Sequence, residues 1–474
     1  MGSETAPAAC CSACSESPAP IKLERPSAGR PPRRRGASER TITLAAIGLA
    51  GAFVGAALAT MVVGPPAGLA VWLPLHLLLA GAAPTAIAGV MPYFSSAVAG
   101  APPAQPVVRI AGIAGVAAGA VLVTGGLVHG ATGGPEGGAT AAIGGVIYIG
   151  GLLAVAGATL LPLRAALGPR RLFIGAVYGL ALANVIIGAS LATLFVASWQ
   201  PVLAAWASLK PAHAWLNIFG FLSLVIAGSL LHLLPTVVGA RIRRTVSSIV
   251  AFTGLAFGPA VVALGFAIAA TPLALAGGAL VLAAAAALAW HAITVMRARA
   301  SWTTDPGWHR MATWSLLAAI AWFGVGAARA AGQLLTGGIG PSGWQMAPLI
   351  GPLAIGWVAQ VLVGSWTHLL PAIGPGSPEQ HARQRQILGH WATVRLALLN
   401  GGLVAIVVAD AVAMPVLREL GLVGVGAAGA MALALLVAAI GLVPLARRQR
   451  VHARGVPSGP SDIATFGTLR GKRG

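Results

Sequence analysis

Long apolar segments recur along almost the whole chain, and they restrict its fold more than any other feature. Between residues 41 and 446 the sequence is a succession of apolar runs, each long enough to cross a hydrocarbon core of ~30 Å as a helix. Charged residues make up only 8% of the 474 residues, whereas soluble domains carry about 25%. The sequence therefore predicts an all-α, polytopic protein in a lipid bilayer.

Twelve membrane-spanning helices are predicted. They extend over about residues 41–63, 70–93, 107–129, 142–163, 172–198, 212–236, 246–269, 272–296, 311–335, 348–370, 392–413 and 419–446. Residues 1–40 and 447–474 lack apolar periodicity, so both are predicted to be disordered basic tails of the 41–446 membrane domain. No apolar core precedes residue 41, so a cleaved signal peptide is not expected.

The arginines of the connecting segments fall on one side of the predicted bundle. They precede helix 1 and follow helices 4, 6, 8, 10 and 12: Arg30, Arg33, Arg34, Arg35, Arg40, Arg164, Arg170, Arg171, Arg241, Arg243, Arg244, Arg297, Arg299, Arg310, Arg383, Arg385, Arg447, Arg448 and Arg450. Short basic loops stay in the cytoplasm, so both termini are predicted to be cytoplasmic, in the plasma membrane of the cell. The same rule explains the net charge of +20 without a nucleic-acid partner.

All three cysteines lie in the N-terminal tail, in the motif CCSAC (Cys10, Cys11 and Cys14). Cytoplasmic thiolates of this kind can bind a soft metal ion such as Cu(I). The motif has no second pair of ligands, so incidental thiols in an unstructured tail are the favoured interpretation. The sequence does not decide their role.

A short motif repeats at a spacing of four helices. GSLLHLLP begins at residue 228 in helix 6 and GSWTHLLP at residue 364 in helix 10, an offset of 136 residues. Helix 2 shares with helix 6 a histidine, His76 or His213, that is followed by Ile-Ala-Gly when a two-residue gap is allowed. Self-similarity at a fixed period indicates repeated units. Three pseudo-repeated four-helix units are therefore predicted, with helices 2, 6 and 10 in equivalent positions.

Twelve helices in three such units resemble the catalytic subunit of the haem–copper oxidases and the related NnrS-type membrane proteins. The resemblance implies ligands on helices 2, 6 and 10 near the outer face. His76 matches the helix 2 haem ligand and His213 the helix 6 copper ligand. It also implies haem, copper or both as cofactors, and a multicopper oxidase or another redox protein as a partner.

The ligand set of that family is incomplete in this chain. Residues 344–367 of helix 10 and residues 246–269 of helix 7 contain no histidine, although the family places histidine pairs there. Neither Tyr93, Tyr148 nor Tyr178, the only tyrosines, is a candidate for the family's tyrosine at the copper site. A proton-pumping oxygen reductase is thus not expected, and an enzymatic activity is not predicted.

Two charged side chains are predicted to lie inside the outer half of the membrane. Asp410, in helix 11, is the only acidic residue in the interior of a predicted span, since Glu419 is the first residue of helix 12, and Arg329 in helix 9 lies at a similar depth. The two are expected to pair, because an isolated buried charge is costly. The alternative is that Arg329 holds haem propionates, since guanidinium binds carboxylates in a bidentate manner.

The histidines of helices 2, 6 and 10 fall at two depths. His213 and His232 are 19 residues apart, or ~28 Å along a helix, so they cannot share a metal ion. His76 and His213 form a predicted outer pair, with Asn217 as a hydrogen-bonding partner; they are either metal or haem ligands or structural histidines of the interface. His232 and His368 form an inner set, and each lies three residues before a proline. The favoured interpretation is that they end their helices, and the weaker alternative is that they are metal ligands.

These observations predict a protein of haem–copper-oxidase-like fold that acts in nitric-oxide, copper or redox handling. A transporter or permease for a small solute is the first alternative, because glycine and proline in the spans are typical of broken helices along a transport path. A structural subunit of a membrane complex, without any cofactor, is the second.

Overall fold

The computed structural model describes residues 35–64, 66, 68–168, 170–301, 308–340, 342–373 and 377–455. Within these ranges twelve helices are long and apolar enough to cross a membrane, as predicted. They are α1 Glu39–Val63, α2 Trp72–Ala99, α3 Pro106–Ala131, α4 Gly137–Ala165, α5 Arg171–Val196, α6 Trp206–Val237, α7 Val246–Ala267, α8 Thr271–Arg297, α9 His309–Gly337, α10 Ala347–Ile373, α11 Pro378–Val412 and α12 Pro415–Gly441. We call the membrane face at which α1 begins the N-terminal face and the other the opposite face.

Helix ends differ from the predicted boundaries at several places. Helical backbone begins at Arg35 ahead of α1 and continues to Gly455 after α12, into both predicted tails. The span of α11 begins early because Ser377 and Gln380 form a capping box at the start of a separate segment, Pro378–Gly389. This segment meets Ala392–Val412 at Trp391, whose φ of 52° interrupts the helix. The cysteines of the CCSAC motif lie outside the described residues.

Three spans contain a π-helical segment in their first half, which is the half nearer the opposite face. The segments are Leu77–Ala82 in α2, Leu216–Ser223 in α6 and Ile350–Ala359 in α10. The α10 segment packs against those of both α2 and α6, so the three meet in the middle of the bundle. π-Helical turns are rare and occur frequently at functional sites. The three helices that carry them are those related by the repeated sequence motifs.

Glycines bring α3 and α4 into backbone contact. A Cβ placed on Gly119 would lie 2.6 Å from the backbone of Tyr148, and a Cβ on Gly151 would meet the backbone of Val116. A Cβ on the neighbouring Gly150 would have nothing within 4 Å. Small residues at such contacts allow helices to approach closely where lipid supplies no hydrophobic drive for association.

We expect Gly151→Ala to destabilise the bundle by about 1–3 kcal/mol, because the added methyl group overpacks the α3–α4 contact. Gly150→Ala is the matched control and should leave stability unchanged or slightly raised. Thermal unfolding of both variants in one detergent measures the effect. Equal melting temperatures for the two variants would contradict this packing.

A buried ion pair joins α1 to α3 near the N-terminal face. Arg109 is 1% exposed, and its Nη1 lies 3.4 Å from Oε1 of Glu39. Its Nη2 donates to Oγ1 of Thr43 at 2.8 Å and to the carbonyl of Gly89 in α2 at 2.9 Å. The expectation that Asp410 is the only acidic residue inside a span is wrong, since Glu39, Glu379 and Glu419 also belong to spanning helices. Of these three, only Glu39 is buried, at 8% exposed.

Breaking this pair from one side should be costly. Arg109→Met leaves the Glu39 carboxylate buried without its cation and is expected to lower stability by about 3–5 kcal/mol. The double variant Glu39→Gln/Arg109→Met removes both charges and should recover part of that loss. Thermal unfolding of the two single variants and the double variant provides the cycle, and strict additivity would show that the pair is not coupled.

Candidate functional site

The structure places the predicted outer histidines, His76 and His213, at the same membrane face, in corresponding parts of α2 and α6. His76 is the last residue before the π-helical segment of α2. His213 lies three residues before the π-helical segment of α6. The two imidazoles are close enough to interact electrostatically. Each side chain is partly buried, between α2, α5 and α6 at the opposite face. We refer to these two residues as the histidine pair.

The His76 imidazole is fixed from its own helix. Its Nδ1 lies 2.9 Å from the carbonyl oxygen of Trp72, one turn earlier. The indole ring of Trp72 stacks on the imidazole, with centroids 4.1 Å apart and planes inclined by 22°. A carbonyl can only accept, so Nδ1 carries the proton, and the lone pair of the neutral ring is on Nε2.

The His213 imidazole is fixed by a neighbouring helix. Its Nδ1 lies 2.8 Å from the carbonyl oxygen of Gly188 in α5 and 3.1 Å from Nδ2 of Asn217. One ring nitrogen cannot both donate and accept, and Asn217 already donates to the His213 carbonyl at 2.6 Å. We therefore assign the Nδ1 proton to the bond with Gly188. Here too Nε2 is left with the lone pair.

Two asparagine–glycine contacts hold α5 against α6 at this depth. Asn217 fills the space that a Cβ on Gly188 would need, so only glycine lets the carbonyl approach His213. Asn184 of α5 packs in the same way against Gly220 of α6 and donates to its carbonyl at 3.1 Å. The sequence identified Asn217 as a partner of His213. Gly188 gave no recognisable signal, because its role depends on a carbonyl from another helix.

The inner histidines do not share one neighbourhood. His232 lies between the rings of Phe94 and Phe173 and interacts with His291 of α8. His368 interacts instead with His309 of α9 and with Arg385.

The prolines after these histidines do not stop the helices. α6 continues through Pro235 to Val237, and α10 through Pro371 to Ile373. A proline removes only one backbone donor, and a last helical turn tolerates that loss. Oγ1 of Thr236 donates to the His232 carbonyl at 2.8 Å within the same last turn.

The expected pair of Asp410 and Arg329 does not form. Oδ1 of Asp410 lies 3.4 Å from Nε of Arg418. Arg418 is in the first turn of α12, across the tight turn from the end of α11, and so reaches Asp410 more easily than a residue of α9. Arg329 donates from Nη1 to the carbonyl of Pro348 at 3.0 Å. It therefore anchors the start of α10.

Buried aromatic rings fill the space between α6, α9 and α10. Trp215 stacks on Phe219 at 4.4 Å, and Phe323 of α9 stacks on Trp357 of α10 at 4.7 Å. Phe219 and Phe323 connect the two stacks, with centroids 6.3 Å apart.

A cavity of about 350 Å³ lies between α1, α2, α9, α10, α11 and α12. Its lining includes Pro74, Leu75 and Leu78 of α2, and Arg329. The histidine pair is not part of the lining, and no histidine or cysteine occurs among the described residues that line the cavity. Arg329 and the histidine pair thus serve different parts of the molecule.

The histidine pair is the arrangement with ligand chemistry. No group of three or more histidine, cysteine, aspartate or glutamate side chains that could hold a metal ion forms in the described part of the chain. Two imidazoles with free Nε2 atoms are below that number but can hold a soft ion of low coordination number. No family model matches the chain, and no curated protein is detectably similar to it in sequence.

A buried hydrogen bond between α6 and α10 allows the packing of the core to be tested. Nε1 of Trp357 donates to Oγ of Ser223 at 3.0 Å, and both residues are fully buried. Trp357→Phe removes the donor and should cost at least about 1–3 kcal/mol, because the Ser223 hydroxyl loses its partner inside the bundle. Ser223→Ala in the Trp357→Phe background should add little. Additive losses in unfolding experiments would contradict this coupling.

Proposed function

We propose that this protein binds a single copper ion between His76 and His213 near the outer face of the cell membrane. It acts there in copper or redox handling. The three four-helix units and the cytoplasmic location of both termini are part of the same proposal. The arginine-rich connections at the N-terminal face support that orientation, because basic loops are retained in the cytoplasm.

One observation carries the proposal: both imidazoles have Nδ1 engaged by a backbone carbonyl, and they lie at the same membrane face within range of electrostatic interaction. A histidine that ligates a metal ion commonly donates its other ring N–H to a carbonyl or carboxylate, which fixes the tautomer and orients the ligating nitrogen. Imidazole is a suitable ligand for copper. Cu(I) forms stable complexes with two nitrogen ligands, so no third side chain is required.

A single copper ion needs fewer groups than a haem, whose propionates also need partners. Trp72 lies on the ring face of His76, and Gly188 and Asn217 lie at Nδ1 of His213, so the Nε2 atoms are the donors left in the histidine pair. Arg329, the predicted propionate clamp, borders the cavity on another side of α2. A single ion needs only the two Nε2 atoms. A multicopper oxidase or another redox protein is the proposed partner, on the resemblance of the sequence.

Copper content and the visible spectrum of the purified protein test the proposal. After expression with added copper and haem, we expect close to one copper ion per chain and no Soret band. His76→Ala and His213→Ala should each remove the copper. Asn217→Leu should weaken copper binding about 10–100-fold, because it loosens the position of His213.

His129→Ala is the matched control, because His129 is exposed at the same membrane face and should not affect copper content. A Soret band that disappears in the His76→Ala and His213→Ala variants would show that the bound cofactor is haem and not copper. A colourless protein without copper would overturn the proposal and favour a permease or a structural subunit.

A further inference from the structure

The cavity between α1, α2, α9, α10, α11 and α12 is open at one end and closed at the other. Residues that line it at the opposite face are exposed, for example Met61 at 47% and Val71 at 55%. Toward the N-terminal face, Met311, Trp366 and Leu388 line it and are 2%, 7% and 3% exposed. The cavity is therefore a blind apolar slot that opens at the membrane surface on the opposite face.

The open end carries a net positive charge. Arg329, Asp410 and Arg418 all line the cavity there. Asp410 is neutralised by Arg418, and in the described part of the chain no carboxylate pairs with Arg329. The Arg329 guanidinium donates only from Nη1 to the Pro348 carbonyl, at the start of α10. One uncompensated cation thus lies at the mouth of the slot, near the depth of lipid headgroups.

The closed end also carries a cation that has no carboxylate partner among the described residues. Arg395 lines it and is 3% exposed, but its Nη1 donates to the carbonyls of Leu388 at 2.8 Å and His390 at 3.3 Å. These carbonyls are at the end of the Pro378–Gly389 segment, where the helix dipole favours a positive charge. These two carbonyls hold Arg395 in place, so Arg329, at the mouth and with one carbonyl partner, is the guanidinium that a ligand entering from the membrane surface meets first.

We propose that the slot binds an anionic phospholipid of the leaflet at the opposite face. One acyl chain occupies the apolar interior, and the phosphate lies against Arg329. The volume of about 350 Å³ is within the range of small-molecule sites. Guanidinium and phosphate form strong, charge-assisted hydrogen bonds. This site is independent of the histidine pair, so its test does not depend on copper binding.

Native mass spectrometry of the full chain in mild detergent, titrated with phosphatidylglycerol or phosphatidylcholine of identical chains, tests the proposal. We expect phosphatidylglycerol to bind about tenfold more tightly, the effect of one charge-assisted contact. Arg329→Gln should abolish that preference, and Arg329→Lys should keep most of it. Arg310→Gln is the control, because Arg310 is exposed at the other end of the same helix.

A second variant tests the apolar interior. Ala432 of α12 lines the slot, and Ala432→Phe fills it without changing any charge, so binding of both lipids should weaken. Equal binding of the two lipids to the unmodified chain, or a preference that survives Arg329→Gln, would overturn the proposal. It would also be overturned if inorganic phosphate displaced the lipid while Ala432→Phe had no effect, since the occupant would then be a small anion.

Discussion

The architecture depends on the requirement that every backbone N–H and C=O inside the membrane has a partner within the protein. Straight α-helices meet this requirement but fix the direction of each side chain. The π-helical segments of α2, α6 and α10 also keep the backbone bonded, while they rotate one part of a helix relative to the next. In α2, this change of direction occurs directly after His76. At the centre of the bundle the backbone groups thus remain hydrogen-bonded, while side chains before and after a π-helical segment face different neighbouring helices.

Charged groups within the spans follow the same requirement in three ways. Arg109 is neutralised by Glu39 of α1 and is hydrogen-bonded to Thr43 of α1 and to Gly89 of α2. Arg395 is held by backbone carbonyls at a helix end. Arg418 and Asp410 pair at the membrane surface, where water still reaches both side chains. Of these three arrangements, only the Arg109–Glu39 pair is a buried ion pair. It therefore fixes the positions of α1, α2 and α3 relative to one another.

The sequence predicted the parts of the fold that local patterns determine. Apolar run length gave the twelve spans, and the repeated motifs identified the three helices that carry π-helical segments. The depth of His76 and His213 placed them near each other. Contacts between distant helices were not predictable in the same way. The choice of Arg418 over Arg329 as the partner of Asp410 depends on the tight turn before α12, and the Gly188 carbonyl becomes a partner of His213 only when α5 packs on α6.

The π-helical segments also explain the irregular spacing of the repeated motif. His76 precedes Ile87 by eleven residues, whereas His213 precedes Ile226 by thirteen, which is why their comparison needs a two-residue gap. The π-helical segment of α2 has 6 residues and that of α6 has 8. The additional residues are thus accommodated within a continuous span and not in a loop. A membrane helix can therefore absorb an insertion through a wider turn, so two helices of different length can still place their histidines at the same membrane face.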